Sequence, residues 1–573
     1  MTARSHRADE LEKRLGDPYD AANPLGFGAI LRADERAEML PDGERALDDY
    51  GLNAEFVPPE LGGRLHRLDD LVEVMRVIYR RDPCLGLGYG VSSFIAAVNV
   101  WTAAGVRHRQ EVADLLLGGR KVSVAYHELR HGNDMARTEC SLLPTDDGLV
   151  LNGRKEVVTN LQRSDAVVLF ARTDPRPGSR SHSQVLLHKQ RIIEDRMRYL
   201  PRFTTVGMRG VQLGGIEFDN CPLPADAILG TLGGGLETAL RSFQITRTTL
   251  VAMFTGMLDT GLRVVLRHVR DRRLYGRTAA DLPQVRAIIT AAYADLLLCE
   301  AFALVATRAI HLVPRETAVY AQAVKFFVAG LLMDAMRRLS SVLGAHFYIR
   351  ESRSAIFQKL LRDVAPAGFG HAARAACQVS LLPVLPLIAR RSWPAAEPAP
   401  DALFRLDADL PPVPYDALVV SSGGRERLSS SLAAGLAALP DGAAVADLRR
   451  FAAPYLHEQR ELATVLPHLP PGELSVAASP ATYDLTHRYV NVLAAAACVE
   501  LWRHNTSDPD PFLADPTWVT AALARLIRRP GATPAPLPDH LIERLWRELG
   551  DRFEAGHTFG LIRRQIPDRP DIS

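Results

Sequence analysis

The chain has little cysteine, six residues in 573 (Cys84, Cys140, Cys221, Cys299, Cys377 and Cys498), and no CxxC pair or clustered His/Cys spacing. That excludes a disulfide framework and gives no zinc clasp, so reduced thiols and no metal centre are expected. It also lacks an excess of either charge: 68 Lys+Arg stand against 66 Asp+Glu, a net +2 interspersed along the chain. Nothing in that balance calls for nucleic acid, and the cluster Arg267, Arg270, Arg272 and Arg273 reads first as a solvated helix face. The opening MTARSHRADELEKRLG has no apolar segment of a secretory signal. The most apolar helical stretch, Ala321 to Met336, is interrupted by Lys325 and Asp334 and falls short of the ~20 residues a bilayer span needs. No membrane insertion is expected, and the expected compartment is cytoplasmic. What is present is a globular composition, 47% hydrophobic and 23% charged. At roughly 100–200 residues per domain, three or four packed units are expected.

Periodicity orders those units. Residues 1–121 repeat apolar residues at three and four, as in Leu71-Val72-Val74-Met75-Val77-Ile78, and predict an N-terminal helical domain. Over 122–232 the period shortens to two, with turn signals at Asp146-Asp147-Gly148 and Asn152-Gly153, and predicts a compact β domain. After Gly233-Gly234-Gly235 the helical period returns through 233–390, with helices predicted at Leu236–Arg273, Gln284–Ile310, Arg315–Leu343 and Glu351–Leu361, the makings of a four-helix bundle. A proline-rich stretch at 391–414 reads as a linker, and 415–573 as a separate, extra all-α domain with helices at Leu428–Leu439, Ala443–Phe451, Leu485–His504 and Asp539–Leu549. The fold class is therefore α+β, mainly α.

Several motifs in that order resemble the acyl-CoA dehydrogenase and acyl-CoA oxidase superfamily over roughly Asp9 to Arg390. They are Val57-Pro58-Pro59-Glu60-Leu61-Gly62-Gly63; His127-Glu128-Leu129-Arg130-His131-Gly132-Asn133-Asp134, whose His131-Gly132 is similar to the oxidase variant; and Leu151-Asn152-Gly153-Arg154-Lys155-Glu156-Val157-Val158-Thr159-Asn160. Further matches are Gly207-Met208-Arg209-Gly210, Arg272-Arg273-Leu274-Tyr275-Gly276-Arg277 and Ser341-Val342-Leu343-Gly344-Ala345-His346. The resemblance implies FAD as cofactor. It places His127, Gly132, Asn133, Val157 and Thr159 along the flavin, with the Thr159 hydroxyl donating near the reactive N5. It places Arg272, Tyr275 and Gln284 at the pyrophosphate of a neighbouring subunit, and Ser341, Gly344 and Ala345 near the adenine. A guanidinium fork suits a diphosphate, which moves Arg272 from solvated surface to ligand. Val157 stands where the family carries an aromatic residue, and Ser341, Ala345 and Phe347 replace a glutamine and two glycines.

In the family a glutamate takes the substrate α-proton from one of two positions. Nine residues after Arg362 the chain has His371; on the helix after the glycine run, before Arg247, it has Thr246. Neither is a carboxylate. Thr246 and Arg247 are then expected beside the substrate, while His371, titrating near neutrality, is an expected base, with Glu128 as a further candidate.

The resulting expectation is an FAD-dependent oxidoreductase that desaturates an acyl thioester, carried on CoA or on a carrier protein, at the α,β bond, with an unspecified electron acceptor. The chain is expected as a homodimer or homotetramer. An acyl-CoA oxidase-like enzyme releasing hydrogen peroxide, a flavin monooxygenase, and a catalytically inactive scaffold are the alternatives.

Overall fold

Apolar positions spaced at three and four close the first helices against one another. The computed structural model describes residues 6–146, 148–526 and 536–567, so Asp147 of the predicted turn and the end of the predicted 415–573 domain lie outside the described residues. The N-terminal helices are α1 (His6–Leu15), α2 (Phe27–Glu35), α3 (Pro41–Tyr50), α4 (Leu68–Arg81), α5 (Ser92–Ala103) and α6 (Val106–Leu117). Eight strands follow: β1 (Val122–Ala125), β2 (Ser141–Thr145), β3 (Gly148–Thr159), β4 (Ala166–Arg172), β5 (His182–His188), β6 (Met197–Leu200), β7 (Leu213–Leu223) and β8 (Ile228–Leu229). They form one mixed sheet in the order β6-β7-β3-β2-β4-β5-β8, with β1 parallel to β4.

The bundle is built from α7 (Gly235–Asp271), α8 (Pro283–Leu312), α9 (Thr317–Leu343), α10 (Ala355–Asp363), α11 (Pro366–Phe369), α12 (Arg374–Leu381) and α13 (Leu385–Ala395), with the hairpin β9 (Arg273–Leu274) and β10 (Arg277–Thr278) between α7 and α8. Beyond it lie α14 (Leu428–Ala437), α15 (Ala446–Val465), α16 (Pro480–Arg503), α17 (Pro511–Ala514), α18 (Pro516–Leu526) and α19 (Asp539–Glu554).

The chain divides into two compact units, where the sequence suggested three or four. One is Tyr19–Thr246 with Tyr415–Val420; the other is Met1–Pro18, Arg247–Pro414 and Ser421–Ser573. In the first, helices and sheet share a buried polar centre. The Asn99 side-chain oxygen of α5 accepts from Tyr126 Oη (2.5 Å), Gln184 Nε2 of β5 (3.2 Å) and Ser242 Oγ of α7 (2.7 Å), and Gln184 also donates to the Gly235 carbonyl at 3.2 Å. Buried donors and acceptors that satisfy each other in this way fix the relative setting of the elements carrying them.

The Asn152-Gly153 turn is corrected to a bulge inside β3. The β3–β7 register shifts between Leu151 and Gly153, Gly153 adopts φ 107°, and a Cβ there would lie 2.9 Å from the Cys140 Cα. An extra residue absorbed by glycine bends the strand without ending it.

In the second unit the proline-rich 391–414 stretch is a packed strap rather than a linker. Leu403 and Phe404 are buried, and the fully buried Arg308 of α8 donates to the carbonyls of Leu403 (3.0 Å), Ala402 (2.7 Å) and Arg405 (2.6 Å). The extra helices belong to this unit as well. Arg525 of α18 pairs with Asp295 of α8 at 2.8 Å, and the segment after α19 is tied to the bundle where Leu561 N donates to Glu300 at 2.7 Å and Phe559 N to Asp259 at 3.2 Å.

The expectation that no apolar run is long enough to cross a membrane is also corrected. By length and composition four helices qualify (Leu85–Ala103, Gly235–Asp271, Pro283–Leu312 and Thr317–Phe347), and between 83% and 100% of each apolar window is buried inside the fold.

Replacing Arg308 by leucine strands three strap carbonyls. At about 1–3 kcal/mol per buried unsatisfied group, urea unfolding should show a loss of several kcal/mol, and limited proteolysis should cut faster within 397–414. Unchanged protection would remove Arg308 as the anchor.

Candidate functional site

On the first unit the site residues gather along the edge where β1 ends and β3 runs out. A bridge pairs His127 with Val157, and Glu156 N donates to the His127 carbonyl at 3.2 Å. Val157 and Thr159 are half-buried on one face while Val158 between them is fully buried on the other, the period-two alternation of a strand. Asn160 then turns the chain at φ 58°, a conformation Asn tolerates, and its side chain donates to Ser92 Oγ at 2.9 Å. His127 Nδ1 lies 3.2 Å from the carbonyl of Gly132, and Gly132 and Asn133 are exposed.

Glu128 is placed differently from a proton acceptor. Its carboxylate takes the Lys155 ammonium at 2.8 Å and the backbone N–H groups of Glu139 (2.9 Å) and Cys140 (3.1 Å), while Lys155, fully buried, also donates to the Tyr126 carbonyl at 3.0 Å. Burial alone would raise the Glu128 pKa, but Lys155 and the backbone donors outweigh it and lower the value. A carboxylate held ionised by three donors is a weak base and a strong brace for the 128–140 loop, so the expectation of a catalytic Glu128 is corrected to this bracing role.

His131 Nε2 lies 3.1 Å from Glu139 at the surface of that loop.

On the second unit another group forms at the end of α7. Arg272 is exposed and makes no side-chain hydrogen bond or ion pair among the described residues. The hairpin that follows turns through Tyr275 and Gly276, both at positive φ, with Tyr275 90% exposed. The rings of His268 (α7) and His346 meet with centroids 4.7 Å apart, tilted by 53°, which sets this end of α7 against the turn after α9. Gly344 sits in that turn at φ 55°, and Ser341 and Ala345 are exposed beside it. Ser341 Oγ donates to the Arg338 carbonyl at 2.7 Å, a local use of its hydroxyl. Gln284 is exposed in the first turn of α8. A Cβ built on Gly276 or Gly344, or on Gly132 of the first unit, would meet nothing within 4 Å, so all three backbones are open to a ligand.

The positions expected to carry the base lie apart in sequence. Thr246 is buried in α7, its hydroxyl donating to the Ser242 carbonyl at 3.3 Å. Arg247 is buried and donates to Gln322 Oε1 of α9 at 3.0 Å. His371 is half-buried between α11 and α12 at φ 62°, a left-handed conformation uncommon for a non-glycine residue. Sequence reasoning missed Lys325 of α9, 1% exposed, whose Nζ donates to the Gly370 carbonyl at 2.9 Å. Its signal was a lone lysine in the most apolar stretch of the chain.

Comparison with known proteins shows what the chain is similar to. Residues 233–370 match the family model for the acyl-CoA dehydrogenase C-terminal domain. Among similar sequences, the probable acyl-CoA dehydrogenase FadE25 of Mycobacterium tuberculosis is 26% identical over 253 residues, 44% of this chain and 64% of its own length. Mitochondrial isovaleryl-CoA dehydrogenase of Oryza sativa is 25% identical over 333 residues, 56% of this chain and 76% of its own. Among solved structures, butyryl-CoA dehydrogenase from Megasphaera elsdenii superposes with a TM-score of 0.59 at 16% identity, covering 65% of this chain and 96% of that one. The prolyl acyl carrier protein oxidase AnaB gives 0.59 at 17%, covering 66% and 97%. Over residues 233–370 the chain is similar to the C-terminal domain of the acyl-CoA dehydrogenase superfamily, and over about half its length to acyl-CoA dehydrogenase sequences. It spans 64% of the length of FadE25, and the solved structures share its fold.

The residues present fit the flavin dinucleotide that this superfamily implies. Arg272 is an uncommitted cation suited to a diphosphate, the open glycine backbones let a ligand approach closely, and the half-buried Val157/Thr159 face can take a flat ring.

Lys155→Met would leave Glu128 buried without its cation and should cost about 3–5 kcal/mol in urea unfolding. Because the folded Glu128 pKa lies below its unfolded value, the pair's stabilisation is present above the unfolded carboxylate pKa and is lost as pH falls through the folded one. Glu128→Gln should flatten that acid limb. An unchanged acid limb would argue against the pairing.

Proposed function

We propose that this chain is an FAD-dependent dehydrogenase of acyl thioesters, forming the α,β double bond. The observation that carries the reading is Arg272, an exposed guanidinium with no side-chain partner among the described residues, on a domain that matches the acyl-CoA dehydrogenase C-terminal model.

Val157, Thr159 and His127 would line the ring, and Arg272 would reach the diphosphate of a neighbouring subunit's cofactor. When bound, the flavin supplies a two-electron acceptor for the substrate's β-hydrogen. The Thr159 hydroxyl would donate to the ring edge, and a group near His371 would take the α-proton. By name, the similar sequences act on CoA thioesters, and the AnaB neighbour on a prolyl group bound to a carrier protein. Both carriers therefore belong in the substrate panel. A cytoplasmic homodimer or homotetramer completes the proposal.

The purified chain should be yellow or take up FAD, and a matching acyl thioester added without oxygen should bleach the flavin band. Arg272→Met should weaken FAD retention about 10- to 100-fold, the worth of a charged hydrogen bond, with no change in melting temperature. A chain that cannot be loaded with FAD would refute the proposal, and peroxide formed in air would mark it as an oxidase.

A further inference from the structure

Three buried cations in this protein are answered by anions. Lys155 has Glu128, Lys359 has Asp363 at 2.6 Å, and Arg525 has Asp295. Lys325 has no such partner among the described residues. Its single hydrogen bond among the described residues goes to the Gly370 carbonyl, and no carboxylate pairs with it there. The charged and titratable groups around it are the Arg247 guanidinium of α7 and the Cys377 thiol of α12. Arg374 of α12 and His487 of α16 pack on the neighbouring Phe326 ring, at 5.1 Å and 5.8 Å, and Arg374 Nε donates to the Phe326 carbonyl. Burial above all, with the like charge of Arg247 added and Cys377 opposing, brings the lysine pKa down to about 8.

Its position matters as much as its ionisation. Nζ rests on the backbone of Gly370, one residue before His371, and is within electrostatic reach of Arg247. Lys325 thus touches the backbone beside one of the two segments to which the family resemblance assigns a proton acceptor, and it is within electrostatic reach of the other; this chain has no carboxylate at either position.

We propose that Lys325 is the proton acceptor of the thioester reaction, in place of the missing glutamate. This inference rests on the dehydrogenase reading above. The neutral Nζ lone pair forms an N–H bond as the substrate Cα–H bond breaks. The electron pair left on Cα becomes the second bond between Cα and Cβ, and the flavin, when bound, would supply the acceptor for the β-hydrogen and its electron pair. The lysine then returns its proton to water after product release. Only the deprotonated amine can act, so the step quickens as pH rises through the lysine pKa.

The test uses the full-length, FAD-loaded chain and an acyl thioester that bleaches it. In the wild type the bleaching rate should rise about tenfold per pH unit and level off near pH 8. Lys325→Met, which fills the same volume, and Lys325→Arg, which keeps a charge that cannot be lost, should each slow bleaching about 10²–10⁴-fold, with flavin absorbance and thioester affinity within a few-fold of wild type. Independently of turnover, NMR of the lysines carrying ¹³C-methyl groups should show one resonance titrating near pH 8 that is missing in Lys325→Met. Wild-type rate and pH profile in Lys325→Met, or a Lys325 resonance that titrates only above pH 10, overturns the inference while leaving the dehydrogenase reading intact. If no thioester bleaches the loaded wild type, both fall. If Lys325→Met sheds its flavin, Lys325→Arg decides: retained flavin without turnover supports the lysine, and retained turnover overturns it.

Discussion

A charge taken out of water must be answered inside the protein, because the cost of desolvation exceeds what the rest of a marginally stable fold can absorb. The main braces of both units follow from that constraint. In the first, Lys155 and Glu128 tie strand β3 to the loop that closes β1. In the second, Asp295 receives Arg525 and Arg338, so that α8, α9 and α18 are held together, while Arg427 meets Glu316 at 2.6 Å. Beside that pair, Glu426 lies against Ser429 and within reach of the Tyr320 hydroxyl that also serves Glu316. Burial first, and Glu316 in addition, lift its pKa to about 7. The buried lysine of α9 is met by the Gly370 carbonyl instead, as Arg308 beneath the strap is met by carbonyls.

The parts proposed to meet a cofactor obey the opposite rule. Arg272 is left in solvent without a described partner, Gly132, Gly276 and Gly344 face open space, and Val157 and Thr159 show a half-covered face. Tyr275 and His371 hold left-handed backbone geometry, uncommon for residues other than glycine. A protein core tightens around its own groups, whereas a ligand site keeps donors and approachable backbone in reserve.

Long amphipathic elements were legible in the sequence to within a few residues. The predicted helices Leu236–Arg273 and Gln284–Ile310 appear as Gly235–Asp271 and Pro283–Leu312, because a sustained 3.6-residue period has no competing reading. Asn152-Gly153 was misread because the same dipeptide serves a hairpin turn and a bulge, and only pairing with β7 distinguishes them. The proline-rich strap was misread because composition records stiffness and not the buried arginine beneath it. Helix α15 runs to Val465, well beyond the predicted Phe451, carrying Pro454 inside it; packing against neighbouring helices overrode the local breaker.

The sequence by itself determined the order of helical, β and helical segments, the motifs of the superfamily, and the absence of a glutamate at either expected position. Each of these depends on residue type and spacing along the chain. The tertiary structure alone decided that Glu128 is spent on Lys155, that the C-terminal helices belong to the bundle's own unit, and that Lys325 rests on the Gly370 carbonyl without a carboxylate. Those outcomes depend on which groups share a low-dielectric interior. Partners 27, 45 or 230 residues apart leave no local pattern for a sequence to display.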